Sequence, residues 1–129
     1  MSEREAVRTD KAPGPFQGAP YSQAIVLGDL VFAAGQIGID PATGEVVEGA
    51  IGEQTERVMQ NLGAVLEAAG SGLDRLVKTT IFLVDFGDFA AMNEVYARHV
   101  AEPYPARATV QIAALPSGAL VEIEAIGHR

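Results

Sequence analysis

Apolar and polar positions along this chain change period several times, and each change marks an element. Ser22-Gln23-Ala24-Ile25-Val26-Leu27 and Leu30-Val31-Phe32-Ala33-Ala34 are short, mainly apolar runs separated only by Gly28-Asp29. A two-residue connection that starts with glycine suits the primed turns of a hairpin, so two antiparallel strands are predicted. Asp40-Pro41-Ala42-Thr43-Gly44 is a turn cluster that introduces a loop ending near Gly49 or Gly52. From Ile51 the period becomes helical: Ile51, Thr55, Val58, Met59, Leu62, Val65, Leu66 and Ala69 form one stripe, with Glu53, Glu56, Arg57 and Glu67 largely off it. Gly70 supplies the stop.

Leu76 to Val84 is rich in β-branched residues and reads as a central strand. Asp88 is placed to cap a second helix running to about Val100, buried through Phe89, Met92, Val95, Tyr96 and Val100, and ended by Pro103 and Pro105. Two further strands follow, in the runs Tyr104–Val110 and Val121–Ile126. The order β-β-α-β-α-β-β predicts an α+β fold, a mixed sheet with both helices on one face. The second sheet face then needs a cover. Because the central strand is apolar, a second copy of the chain is expected there, and with it a homo-oligomer.

Before the first strand the chain is polar and aperiodic, and Pro13, Pro15 and Pro20 interleave with Gly14 and Gly18. Residues 1–12 are therefore expected to be disordered, with a single domain over 13–129. That length is enough to bury a core without staples. Cysteine is absent, which removes disulfides, thiolate metal sites and thiol nucleophiles. His99 and His128 are too few and too far apart for a zinc site, so no metal is expected. Nine basic against seventeen acidic residues leave a formal charge of −8, unfavourable for a phosphate backbone. Neither a secretory leader nor a run of about twenty apolar residues is present, and a cytoplasmic location without membrane contact is expected.

Against this background Arg107, Glu122 and Glu124 stand out, because they are ions set in strands otherwise built from Val, Ile and Ala. A solvated sheet face explains such alternation without any function. A small-molecule site explains it through the use of the charges.

The segments Ala19-Pro20-Tyr21-Ser22-Gln23-Ala24, Ala34-Gly35-Gln36-Ile37, Gly44-Glu45-Val46, Val77-Lys78-Thr79-Thr80, Met92-Asn93-Glu94-Val95-Tyr96, Pro105-Ala106-Arg107 and Val121-Glu122-Ile123-Glu124-Ala125 together, in this order and spacing, make a specific match to a known family. From about Ala12 to the C-terminus the chain resembles the reactive intermediate deaminase (Rid, YjgF-type) family. The resemblance implies a chorismate-mutase-like trimeric barrel assembly with a cleft between neighbouring subunits. It also implies cofactor-free hydrolysis of enamines and imines, such as 2-aminoacrylate and 2-iminopropanoate, to 2-oxo acids and ammonia.

By the same resemblance Arg107 anchors the substrate carboxylate and Glu122 activates water. Tyr21 hydrogen-bonds water or substrate, Gly35 and Thr109 present backbone N–H groups, and Asn93 plays a hydrogen-bonding, structural part. Glu124 shares a face with Glu122 by parity alone. Ala34 stands where many members have serine, and Thr109 where many have cysteine. Two other functions remain open: a non-catalytic sensor of 2-oxo acids, and a dedicated catabolic deaminase of aminoacrylate-type or aminomuconate-type enamines. The ribonuclease activity attributed to some relatives fits poorly with the acidic balance.

Overall fold

In a computed structural model that describes residues 3–129, eight strands and two helices alternate along the chain. They are β1 (Glu5–Val7), β2 (Ala24–Leu27), β3 (Leu30–Gln36), β4 (Ile39–Asp40), β5 (Glu45–Val46), α1 (Ile51–Ala68), β6 (Leu76–Leu83), α2 (Phe89–Ala97), β7 (Ala106–Gln111) and β8 (Val121–His128). Six strands form one mixed sheet in the order β1-β2-β3-β8-β6-β7. Only β6 and β7 run parallel, joined by the α2 crossover; every other pair is antiparallel. The fold is therefore mixed α+β with both helices on one side of the sheet, as the periodicity requires.

The hairpin β2–β3 turns at Gly28, whose φ of +61° is the backbone conformation that glycine adopts at no steric cost. Helix α1 starts where Glu53 Oε1 accepts from the Ala50 N–H at 2.7 Å. It stops in a Schellman motif: Gly70, at φ +85°, donates to the Glu67 carbonyl, and Ser71 donates to that of Leu66. Its apolar stripe, Val58, Met59, Leu62, Val65 and Leu66, is fully buried against Val31, Ile81, Leu83, Val121 and Ile123 of the sheet.

The structure departs from expectation at three places. Within residues 3–12, expected to be disordered, the structure has a strand: Glu5–Val7 pairs with Ala24–Val26, Val7 is buried, and Ala12 joins the core, while residues 1 and 2 lie outside the described residues. The expected loop after Asp40 contains the small hairpin β4–β5. Asp88 makes no side-chain cap. Asp85 caps instead, its Oδ1 accepting from Gly87 N–H at 2.8 Å and opening the short turn that leads into α2, which ends at Ala97 rather than Val100.

The sheet's second face carries three cross-strand rows. Ile25, Phe32, Ile126, Lys78 and Ala106 form the first, Glu124, Thr80 and Ala108 the second, Glu122, Phe82 and Val110 the third. Phe32 and Val110 are exposed there, and among the described residues no helix covers them. Among the described residues no helix is long and apolar enough to cross a membrane.

Candidate active site

Near its end, strand β3 is irregular. Ala33 faces Ala125 and Gln36 faces Ile123, so Ala34 and Gly35 together oppose the single residue Glu124. Such a bulge re-aims neighbouring side chains. Glu122 exploits the gap: a Cβ on Gly35 would lie 2.8 Å from Glu122 Cδ and 3.0 Å from Oε1, so only glycine leaves room for this carboxyl. The carboxyl lines a cavity of about 420 Å³ whose walls include Pro13, Phe16, Tyr21, Gly35 and Pro116. Half-buried, it has its pKa raised above the ordinary carboxylate value, chiefly by desolvation and secondly by the Glu124 charge on the same face.

Tyr21 sits at this cavity with its hydroxyl accepting from Phe16 N–H at 2.6 Å. One lone pair is thereby engaged, and the phenolic proton is free to be donated elsewhere. The loop that carries Phe16 is tied down by Gln23, a buried amide. Its Nε2 donates to the carbonyls of Thr9 and Pro13, each at 2.9 Å, and its Oε1 accepts from Thr9 N–H at 2.8 Å. Tyr21, Gly35 and Glu122 are thus brought together.

Arg107, Asn93 and Thr109 form a separate group. Arg107 pairs with Thr79, whose side chain is buried on the helix side and shares a 2.7 Å hydrogen bond with the Tyr96 hydroxyl. The guanidinium lies 5.2 Å from the Tyr96 ring centre and 5.5 Å from that of Phe89. Its Nη1 donates to Asn93 Oδ1 at 2.7 Å. Burial raises the Tyr96 pKa, against the opposing pulls of the Thr79 hydrogen bond and the Arg107 charge, so this hydroxyl stays protonated. Thr109, on the same face, pairs with Ile81. Since Ile112 donates to Leu83 O, alternation turns the N–H groups of Arg107, Thr109 and Gln111 towards the free edge of β7.

Glu122 and Arg107 therefore occupy opposite faces of one sheet, two strand spacings or roughly 10 Å apart across it and three residues, roughly another 10 Å, apart along it. One chain cannot close them around a small molecule. Among the described residues no group of three or more His, Cys, Asp or Glu is arranged to hold a metal ion.

The family model described as Endoribonuclease L-PSP, the model of the YjgF/RutC/Rid proteins, matches residues 9–129. The chain belongs to the Rid family. It is 51% identical to a RutC family protein of Pyrococcus abyssi over 98% of both chains. It is 42% identical to the human 2-iminobutanoate/2-iminopropanoate deaminase, over 95% of this chain and 88% of that one. RidA of an Antarctic Psychrobacter superposes with a TM-score of 0.91 at 47% identity, covering 97% of this chain and 99% of its own. Within this Rid fold the residues that sequence reasoning missed are buried amides: Gln23, and on α1 Gln54 and Asn61. In sequence they read as ordinary polar positions, because only the tertiary fold reveals which backbone groups need them.

Proposed function

We propose that this chain hydrolyses 2-imino acids and their enamine tautomers to 2-oxo acids and ammonia, without a cofactor, at a site completed by a neighbouring copy in a homotrimer. The observation that carries the proposal is the half-buried Glu122 carboxyl, with its raised pKa, held against Gly35 in the wall of the cavity. The name of the human relative supports the reaction type. The uncovered apolar sheet face and the opposite-face placement of Arg107 support assembly, because a second copy supplies both the cover and the missing cation.

In this mechanism the planar guanidinium of Arg107, oriented by Asn93 and the two rings, binds the substrate carboxylate through parallel N–H bonds. Edge N–H groups such as that of Thr109 and the backbone of Gly35 complete the cradle. Glu122 accepts a proton as the water oxygen bonds to the imine carbon, while the C=N π pair moves to nitrogen, which takes the phenolic proton of Tyr21. The carbinolamine so formed collapses: its hydroxyl proton goes to the Tyr21 oxygen as the C=O forms, Glu122 returns its proton to nitrogen, the C–N bond breaks and ammonia departs, leaving both side chains as they began. A carboxyl with a raised pKa suits both halves of this cycle. The net charge and the Glu122–Glu124 pair argue against a polyanionic RNA substrate.

The test uses an imine generated in place by a pyridoxal-phosphate lyase. Glu122→Gln is expected to lose turnover by about 10²-fold or more, and Glu124→Gln to stay within about threefold of the parent, both remaining folded. Equal activity of Glu122→Gln and the parent would overturn the assignment.

A further inference from the structure

Past the pair Gln36–Ile123, nothing in the strand ladder holds the end of β3 to the start of β8, yet these two segments frame the Glu122 cavity. Helix α1 supplies the connection through two buried amides seven residues apart, on one face and separated by about 10 Å along the axis. Asn61 Nδ2 donates to the carbonyl of Ile39 at 2.8 Å and to that of Ile37 at 3.2 Å, and its Oδ1 accepts from Arg57 Nε at 3.0 Å. Gln54 Oε1 accepts from the Leu120 N–H at 2.8 Å, two residues before Glu122. The Gln54 backbone also packs against Gly38, where a Cβ would lie 3.1 Å from its carbonyl oxygen. One rigid helix thus grips the chain just after Gly35 and just before Glu122.

We propose that Gln54 and Asn61 are positioning residues, side-chain amides of α1 that set the spacing between the Gly35 segment and the Glu122 strand and so fix where the Glu122 carboxyl sits in the cavity. The kinetic consequence rests on the deaminase reading; the geometric claim does not. The alternative is that these amides only satisfy stray backbone groups, as buried polar side chains commonly do. The two differ in what they move. A purely structural amide lowers the melting temperature and leaves the kinetics of the folded protein intact. A positioning amide changes turnover more than substrate binding, because small displacements of a catalytic group are costly.

Gln54→Met removes the acceptor at similar volume, Gln54→Glu keeps an acceptor oxygen for Leu120, and Asn61→Asp replaces the donor facing two carbonyls with an acceptor. Each would be assayed for imine hydrolysis well below its melting temperature, and the Glu122 carboxyl would be titrated by ¹³C NMR in the parent and in Gln54→Met. In Gln54→Met we expect kcat to fall about tenfold or more with KM within about threefold. The Glu122 titration should move down towards an ordinary carboxylate as water reaches the loosened strand end. Gln54→Glu should restore most of the turnover, and Asn61→Asp should behave like Gln54→Met. Parent-like kcat and an unmoved Glu122 titration in a less stable Gln54→Met would overturn the proposal. An inactive parent whose Glu122 titration still moves in Gln54→Met would sink the deaminase reading and leave the positioning role standing.

Discussion

Glu122 and Glu124 are the same residue type on the same face of the same strand, and their surroundings alone separate them. Glu124 is exposed beside Thr80, whereas Glu122 is half-buried against Gly35 and titrates high. The raised value has a stability consequence with a definite sign. Because the folded state favours protonated Glu122, its contribution is most favourable below the ordinary carboxylate pKa and is lost as pH rises through the folded one. Glu122→Gln should therefore raise the melting temperature relative to the parent at pH 7 to 8 and lose that advantage near pH 4, a comparison that thermal unfolding at the two pH values provides. A variant less stable than the parent at neutral pH and equal to it in acid would contradict the desolvated carboxyl. Alternation along the sequence was enough to put both glutamates on one face. It could not put Arg107 on the other, because that depends on the register between strands, Thr79 with Arg107 and Phe82 with Glu122, which side-chain period leaves unspecified.

The hairpin, both helices and the β-β-α-β-α-β-β order were legible because each rests on a run long enough to show its period. β1 was not: Glu5-Ala6-Val7 has three residues and one buried side chain, and it becomes a strand only by pairing with β2. Deleting residues 1–8 should remove the burial of Val7, worth roughly 2 kcal/mol, and bare the β2 edge. A melting temperature several degrees lower and a greater tendency to aggregate are expected, and an unchanged melting curve would show that β1 contributes nothing. The β3 bulge was equally invisible, since a two-for-one mismatch exists only relative to the partner strand. Its role is open to test with Gly35→Ala, whose new methyl group meets the movable end of Glu122. We expect stability within about 1 kcal/mol of the parent and turnover reduced at least about tenfold, measured by thermal unfolding and imine hydrolysis on the same preparation. Loss of folding with no kinetic effect in the folded fraction would assign Gly35 to the backbone alone.

The molecule as a whole presents one covered and one uncovered sheet face, and the residues with chemistry are divided between them. Phe32, Ile126, Phe82 and Val110 lie on the uncovered face, and composition and patterning were enough to anticipate that the helices leave one face bare. The division of the site could be seen only in three dimensions, and it gives the proposed function its most direct test. Chains carrying Arg107→Lys, which keeps the charge and loses the planar fork, and chains carrying Glu122→Gln should each be nearly inactive alone. Co-expressed and mixed at random, they would form sites pairing an intact Arg107 from one copy with an intact Glu122 from its neighbour in about a quarter of cases. Imine hydrolysis restored to about a quarter of the parent rate is the result predicted. A mixture that assembles with parent-like mass yet stays as inactive as its two components, beside an active parent, would contradict a shared site.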